Sequence, residues 1–218
     1  MQPEFWHERW HNGQIGFHQT AVDANLEQLW PRLGVGGGRR IFVPLCGKSL
    51  DILWLREEGH PVVGVEISPA AVEAFCLENG MPARRRVSGC FDVYEAPGLR
   101  IYRGDYFELT PALLGDVAAV YDRAALISWM PELRDAYVEH MRALARRGVQ
   151  MLLITLEYAQ AEMSGPPFAV MGDEVDRLYS PHFGIREISR RDILPAEPRL
   201  RSKGVTKLFE VCYHLIRT

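Results

Sequence analysis

The sequence predicts an α/β fold with a doubly wound, mostly parallel sheet that carries helices on both faces. Three observations support this prediction: four short and continuously apolar runs, helical patterns between them, and 47% hydrophobic residues over a length of 218. Strands that are buried on both faces of a parallel sheet are apolar without alternation. Their alternation with helices is typical of right-handed βαβ units, and the length suits one domain.

The expected parallel strands are the four apolar runs, at residues 41–43, 62–65, 117–120 and 151–156. A hairpin is expected between the second and third runs, because residues 91–94 and 99–102 flank a Pro-Gly turn. Residues 207–216 form one more expected strand, late enough in the chain to be the closing antiparallel one.

Helical patterns lie between the apolar runs. The first covers residues 49–59 and stops at a glycine. The second has Ser68 as its N-cap and Pro69 at its first position, and Gly80 ends it. The third is expected over residues 131–147, just before another glycine. Strand and helix therefore alternate along most of the chain.

Charge and composition argue against several partners. With 25 basic and 28 acidic residues, the chain lacks the basic excess that binding to nucleic acid uses. Its four cysteines are widely spaced, which favours reduced thiols over disulfides or a cysteine-bound metal. No apolar run approaches the roughly 18 residues of a membrane helix, and the N-terminus lacks a signal-peptide core. We therefore expect a cytoplasmic protein with neither nucleic acid nor membrane as a partner.

Polar groups are expected at the carboxyl edge of the sheet, where α/β proteins bind ligands. The first strand leads into Leu45-Cys46-Gly47, and Glu66 ends the second strand. A carboxylate at that place accepts hydrogen bonds from ribose hydroxyls. Because the chain has no G-x-G-x-x-G motif, the pattern suggests a ribose without a pyrophosphate. The alternative is an acidic residue that is merely favoured by the dipole of the following helix, and both stay open here.

Two further segments are candidates for the same edge. Asp105, Tyr106 and Phe107 form a polar and aromatic loop that suits the edge and face of an adenine. Arg123 follows the third apolar run directly after Asp122. Adjacent residues on a strand face opposite ways, so Asp122 is not its expected ion-pair partner. A site role for Arg123 is favoured, with structural or surface pairing as the alternative.

The N-terminal segment contains two patterns with competing interpretations. His7, Glu8 and His11 match H-E-x-x-H, a zinc-site pattern in which the glutamate is the general base. The longer form of that pattern fails, so a chance match is favoured and no metal is expected. Trp6 and Trp10 lie four residues apart and would share one helical face, either as core packing or as a cap over a ligand.

Taken together, these motifs resemble the bacterial thiopurine S-methyltransferase family over nearly the whole chain. The matching segments, in family order, are Trp6 with Trp10, Phe17-His18-Gln19, Pro44-Leu45-Cys46-Gly47-Lys48, Gly64-Val65-Glu66, Tyr121-Asp122-Arg123-Ala124-Ala125-Leu126, Leu156-Glu157-Tyr158, Gly165-Pro166-Pro167-Phe168 and Glu197-Pro198-Arg199. The resemblance implies one methyltransferase domain over residues 1–218, with residues 1–38 as an N-terminal cap over the active site. It also implies a Rossmann-like sheet of seven strands, the last of them antiparallel.

The implied activity is S-adenosylmethionine-dependent methylation of the sulfur of aromatic or heterocyclic thiols, with thiopurines as the type substrates. The product of the cofactor is S-adenosylhomocysteine, and small selenium or tellurium species are further possible acceptors. The expected protein is a monomer whose partner is a small-molecule thiol. Two alternatives stay open: a zinc-dependent hydrolase built on the H-E-x-x-H pattern, and a non-catalytic module that only binds the cofactor.

The resemblance also implies roles for individual residues. The implied substrate-binding residues are Phe17 and Arg199, and Arg123 has the catalytic role. Ala159 departs from the family pattern, which often has Asp there, so the role of the 159–168 loop is open. The implied cofactor-binding residues are Trp10, Leu45, Gly47, Glu66, Asp105, Tyr106 and Arg123.

Overall fold

In the computed structural model, which describes residues 3–218, the first unit of the chain ends at Tyr121 and the second begins at Asp122. The helices of the first unit are α1 (Pro3–His11), α2 (Ala24–Leu29), α3 (Asp51–Glu57), α4 (Pro69–Glu78) and α5 (Pro111–Leu114), with short 3₁₀ helices at Trp30–Leu33 and Tyr106–Glu108. Its strands are β1 (Ile41–Val43), β2 (Val62–Glu66), β3 (Arg84–Ser88), β4 (Phe91–Ala96), β5 (Leu99–Arg103) and β6 (Ala119–Arg123), whose last two residues belong to the second unit.

The second unit contains three further helices and three further strands. The helices are α6 (Pro131–Leu144), α7 (Gly172–Tyr179) and α8 (Pro198–Ser202), with 3₁₀ helices at Leu126–Ser128, Gln160–Glu162 and Leu194–Ala196. The strands are β7 (Gln150–Glu157), β8 (Phe183–Asp192) and β9 (Phe209–Arg217).

The sheet of the first unit has a parallel centre and an antiparallel edge. Its strand order is β3-β4-β5-β2-β1-β6. Strand β1 pairs in parallel with β2 and β6, and β2 pairs in parallel with β5. All residues of β1 and β2 are buried, as their continuously apolar sequences predict. The predicted hairpin is confirmed, since β4 and β5 pair antiparallel.

The strands of the second unit pair antiparallel, in the order β7-β9-β8. The last strand, β9, pairs with β7 from Gln150 opposite Ile216 to Glu157 opposite Phe209. The prediction of an antiparallel closing strand is therefore confirmed, and so is the α/β class. The prediction of one domain over residues 1–218 stays a prediction.

The predicted count of seven strands is wrong, because the described residues contain nine. The unpredicted strands, β3 and β8, are edge strands in which most residues are exposed or half-buried. In β3, Arg85 and Arg86 form ion pairs with Asp92 and Glu95 on β4. An edge strand held by charged pairs has no continuous apolar run, so the pattern that predicts buried strands does not detect it.

Some predicted bounds also shift, and a strand and a helix illustrate this. The strand expected at residues 117–120 begins two residues later, at Ala119. Helix α6 ends at Leu144 and not at residue 147, since Ala145 already has extended backbone. By contrast, the N-cap of α4 is confirmed, because the Ser68 side chain accepts a hydrogen bond from the Ala71 N–H at 3.3 Å.

Among residues 3–218, no helix combines the length and the apolar character that a bilayer crossing needs. The four cysteines are free thiols, two of them buried.

Candidate active site

The Glu66 carboxylate lies at the carboxyl end of β2 and is only 5% exposed. Its Oε2 accepts a hydrogen bond from the Gly47 N–H at 2.8 Å, and its Oε1 accepts one from the Ser68 N–H at 2.8 Å. The carboxylate thus joins the loop after β1 to the turn that starts α4. These bonds fix the direction in which the carboxylate faces.

The loop after β1 has an unusual backbone. Leu45 has a φ of 46° and Gly47 a φ of 51°, both in the left-handed region. A non-glycine residue in that region costs about 1 to 3 kcal/mol and persists where its surroundings enforce it, often at ligand clamps. The Cys46 N–H donates to the Val65 carbonyl at 3.0 Å, which keeps the loop beside β2.

Close approaches around this loop require small residues. A Cβ atom at Gly64 would lie 2.7 Å from the Sγ of Cys46, so the buried thiol leaves no room for a side chain there. A Cβ atom at Gly47 would lie 3.1 Å from Cζ2 of Trp10. The indole of Trp10 therefore covers the backbone whose N–H binds Glu66.

Burial raises the pKa of Glu66, and the backbone N–H groups of Ser68, Gly47 and Ile67 together with the charge of His7 oppose that rise. Burial and the nearby charge of Glu66 also raise the pKa of the Cys46 thiol well above its usual value of 9.0. Burial therefore disfavours the ionised form of the Glu66 carboxyl, and the Cys46 thiol stays protonated at neutral pH.

The carboxylate of Glu66 fits a ribose diol. An ionised carboxylate offers about four lone-pair sites, and the backbone bonds to Gly47 and Ser68 use one on each oxygen. One acceptor position per oxygen remains for the two hydroxyls of a ribose. The residues present thus fit the nucleoside part of S-adenosylmethionine.

The third strand end at this edge carries Asp105 and Tyr106. The Gly104 N–H donates to the Glu66 carbonyl at 2.9 Å, so Asp105 follows directly beside the Glu66 strand end. The Asp105 Oδ1 accepts from the Phe107 N–H at 3.0 Å. The Tyr106 ring is only 2% exposed, whereas the Phe107 ring is 38% exposed. The predicted adenine contacts of Asp105 and Tyr106 stay predictions, and Phe107 offers the more exposed aromatic face.

Helix α1 brings an aromatic cluster to the same place. The Phe17 ring packs edge-to-face against Trp6 and Trp10, with ring centroids 5.7 Å and 5.6 Å apart. The Nε2 of His7 lies 3.2 Å from the Ile67 carbonyl oxygen, one residue past Glu66. The cap expected over residues 1–38 stays a prediction, and residues 1 and 2 of that range lie outside the described residues.

The zinc interpretation of the H-E-x-x-H pattern receives no support from this geometry. Within residues 3–218, no three His, Cys, Asp or Glu side chains are grouped as metal ligands would be. His7 bonds to a backbone carbonyl, and Glu8 and His11 are exposed on α1.

In the second unit, Arg123 is the last residue of β6 and follows a buried acid. The Asp122 carboxylate accepts hydrogen bonds from the Tyr137 hydroxyl at 2.7 Å and from the Leu126 N–H at 3.1 Å. Burial raises the pKa of Asp122 to about 6, against the opposing effect of these bonds. Asp122 thus fixes the turn after Arg123, a structural role that its sequence position did not reveal.

Arg199 is an exposed residue of α8, also in the second unit. The neighbouring 159–168 loop is held by polar contacts: the Tyr158 hydroxyl donates to the Pro167 carbonyl at 2.7 Å, and Gln160 Oε1 accepts from the Ala169 N–H at 2.8 Å. The buried Arg134 donates to the Ala169 carbonyl at 3.0 Å. None of these three positioning side chains was identified from the sequence, since their partners are backbone groups of a loop.

Within the first unit, the structure groups the predicted residues around the ends of β1, β2 and β5. The residues in this group are Trp10, Phe17, Leu45, Gly47, Glu66, Asp105 and Tyr106. The two predicted arginines belong to the second unit and are described with it.

The fold is that of the S-adenosylmethionine-dependent methyltransferases among solved structures. The chain is similar to a solved S-adenosylmethionine-dependent methyltransferase from Anabaena variabilis, with a TM-score of 0.67 and 17% identity, over 99% of this chain and 95% of that one. The sequence model of the thiopurine S-methyltransferase family matches residues 1–218.

Two relatives described as thiopurine S-methyltransferase support that match. The one from Methylococcus capsulatus is 50% identical over 99% of this chain and 97% of its own length. The one from Nitrosospira multiformis is 46% identical over 99% of this chain and 98% of its own. The chain belongs to the thiopurine S-methyltransferase family. The predicted family, enzyme class and cofactor are confirmed, and the zinc-hydrolase and non-catalytic alternatives are not favoured.

Proposed function

We propose that this protein transfers the methyl group of S-adenosylmethionine to the sulfur of aromatic and heterocyclic thiols, thiopurines among them. The observation that supports this most directly is the buried Glu66 carboxylate, which is held by Gly47 and Ser68 beside the aromatic rings of α1. A nucleoside-binding acid next to an aromatic enclosure suits methyl transfer from a sulfonium.

Different residues of this chain hold different parts of the cofactor. Glu66 accepts hydrogen bonds from the ribose hydroxyls, and Asp105 and Tyr106 bind the adenine. Leu45 and Gly47 provide the backbone against which the cofactor lies. Trp10 attracts the sulfonium through a cation–π interaction worth about 0.5 to 2 kcal/mol. When it is bound, S-adenosylmethionine supplies a methyl group on a positively charged sulfur.

The charges of the donor and of the acceptor thiolate explain why this site suits methyl transfer. Positive charge on the donor and negative charge on a thiolate cancel as the methyl group moves, so a dry aromatic site favours the reaction. Aromatic thiols ionise readily, which makes a strong dedicated base unnecessary. Arg123 and Arg199 are permanently charged and favour the thiolate or the ring nitrogens of the substrate. Phe17 packs against the substrate ring, and alignment supplies most of the acceleration.

Small selenium and tellurium species are further acceptors in this proposal, because their anions share the soft nucleophilic character of a thiolate. We further propose that the protein acts as a monomer in the cytoplasm. Light scattering coupled to size exclusion tests the first of these two statements, and a dimer mass would contradict it.

Calorimetric titration with S-adenosylhomocysteine tests the cofactor site. Glu66→Ala should weaken binding by roughly 100-fold or more, because two charge-assisted hydrogen bonds at about 1.5 to 3 kcal/mol each are lost. The matched control is Glu73→Ala, an exposed acid on α4, which should bind like the wild type. Equal affinities for both variants would reject the assignment of Glu66.

A methyl-transfer assay over thiophenols, thiopurines and selenium or tellurium oxyanions tests the acceptor. We expect turnover with the aromatic thiols, and no loss of it after chelator treatment. Cofactor binding without turnover of any acceptor would favour the non-catalytic module. Stoichiometric zinc together with chelator-sensitive activity would favour the hydrolase.

A further inference from the structure

The first histidine of the H-E-x-x-H pattern has a contact that the proposed function does not use. The Nε2 of His7 lies 3.2 Å from the Ile67 carbonyl oxygen. A carbonyl oxygen can only accept, so the imidazole N–H donates. Ile67 stands between Glu66 and Ser68, whose N–H binds the Glu66 carboxylate. The bond therefore connects α1 to the backbone segment that orients the cofactor acid.

Helix α1 packs against α4 without deep burial of its side chains. None of its described residues is buried, and a free helix of nine residues is marginal in water. Its half-buried rings contact one another and Phe17: the Phe5 and Trp6 centroids are 5.2 Å apart, and the Arg9 guanidinium lies 4.5 Å from the centroid of the Phe5 ring. The His7 bond adds a contact to the backbone at the end of β2 that these ring contacts do not supply.

His7 and Trp10 lie three residues apart, on neighbouring positions of one helical face. His7 contacts the end of β2, and Trp10 contacts Gly47 in the loop after β1. A directional bond at His7 sets the rotation of the helix, and that rotation decides where the Trp10 indole lies. Loss of the bond would leave the indole free to move away from the Gly47 backbone.

We propose that His7 is a positioning residue that orients α1 so that Trp10 covers Gly47 beside the Glu66 carboxylate. The inference rests on the proposed function, because it treats α1 as the cover of the cofactor site. It assigns no metal and no proton transfer to the histidine. His7 and His11 are both exposed, and the bond to the Ile67 carbonyl is what distinguishes His7.

Three variants separate this role from the alternatives. His7→Ala removes the donor, and His7→Gln keeps a side-chain N–H at similar reach. His11→Ala is the matched control on the same helix. In the cofactor-free protein, hydrogen exchange of the α1 amides should become roughly two- to tenfold faster in His7→Ala, the range for one lost hydrogen bond. It should stay at the wild-type rate in His7→Gln and His11→Ala.

Titration with S-adenosylhomocysteine and steady-state kinetics provide the second measurement. His7→Ala should raise the Kd and the KM for the cofactor by roughly two- to tenfold, with a smaller change in kcat and an unchanged melting temperature. His7→Gln should restore both constants. Unchanged exchange and affinity in His7→Ala would overturn the proposal, as would a Gln variant no better than Ala.

Different results would contradict the role of His7 and the proposed methyltransferase activity. If His7→Ala and His11→Ala both abolish activity and bound zinc is lost, the histidines are metal ligands and His7 is not a positioning residue. If the wild type neither binds S-adenosylhomocysteine nor methylates a thiol, the proposed function fails. The exchange measurement in the cofactor-free protein still decides whether His7 orients α1.

Discussion

Helices α1 and α4 both adjoin the strand end that carries Glu66, yet different forces hold them there. Helix α4 has a serine cap and buries Ala71, Val72 and Phe75 completely. Helix α1 buries none of its described residues and depends on half-buried aromatic rings and the His7 bond. The acid to which we assign the cofactor is thus fixed by the core, while its proposed cover is attached at the surface.

This difference separates stability from function. Core packing contributes in proportion to buried apolar surface, so α4 matters for folding. A weakly attached helix contributes little to the folded state but can open and close around a ligand. Substitutions in the two helices should therefore affect different measurements.

The largest expected effect is on folding. Phe75→Ala should lower the free energy of unfolding by about 3 to 5 kcal/mol, because it leaves a cavity at a fully buried position. Leu77→Ala is the matched control on the same helix, since Leu77 is 83% exposed. Its effect should stay within about 0.5 kcal/mol. Urea denaturation measures both, and equal losses would contradict the division of roles.

The second-largest effect concerns α1 and should leave the free energy of unfolding nearly unchanged. Trp10→Ala should weaken S-adenosylmethionine binding more than S-adenosylhomocysteine binding, because only the former carries the sulfonium charge. The difference should reach about 2- to 30-fold, from a cation–π energy of about 0.5 to 2 kcal/mol. Titration of both compounds measures it. Trp6→Ala, the control, should not change the ratio; an unchanged ratio in Trp10→Ala would remove the indole from the sulfonium.

The smallest effect is a pH dependence of Glu66 itself. Its pKa is raised above 4.5, so its contribution to folding is complete at low pH and is lost as the pH rises through that raised pKa. Cofactor affinity changes in the opposite direction, because protonation removes acceptor positions. Lowering the pH from neutral toward that raised pKa should therefore weaken S-adenosylhomocysteine binding while the unfolding free energy attributable to Glu66 rises.

Glu66→Gln is the reference for that measurement, since an amide does not titrate in this range. Calorimetric titration and urea denaturation should be run for both proteins at each pH. Parallel pH profiles of the wild type and the variant would show that Glu66 does not titrate there.

Those features of the fold that depend on continuous burial were predictable from the sequence. Strand β1 and the first four residues of β2 are apolar because both faces are covered, and Ser68-Pro69 marks a helix start for local steric reasons. Strands β3 and β8 were not predictable in this way. Their residues are largely exposed and are held by partners such as Asp92, which only the folded chain brings near.

The same distinction between predictable and unpredictable features applies to the residues of the candidate site. Glu66 was predictable because a carboxylate after a buried strand must lie at the carboxyl edge. The Gly47 N–H that orients it was not, since that bond depends on the left-handed backbone of a neighbouring loop. Nor did the sequence distinguish the buried ring of Tyr106 from the exposed ring of Phe107, because adjacent aromatic residues in a short turn look alike.

The thiol of Cys46 touches Gly64 and lies one residue from the Gly47 backbone, close to where we place a methylating agent. An enzyme that alkylates sulfur risks alkylating its own. Because burial and the negative Glu66 keep this sulfur protonated, it is a poor nucleophile at neutral pH. The same acid to which we assign the donor's sugar therefore protects the protein from self-modification.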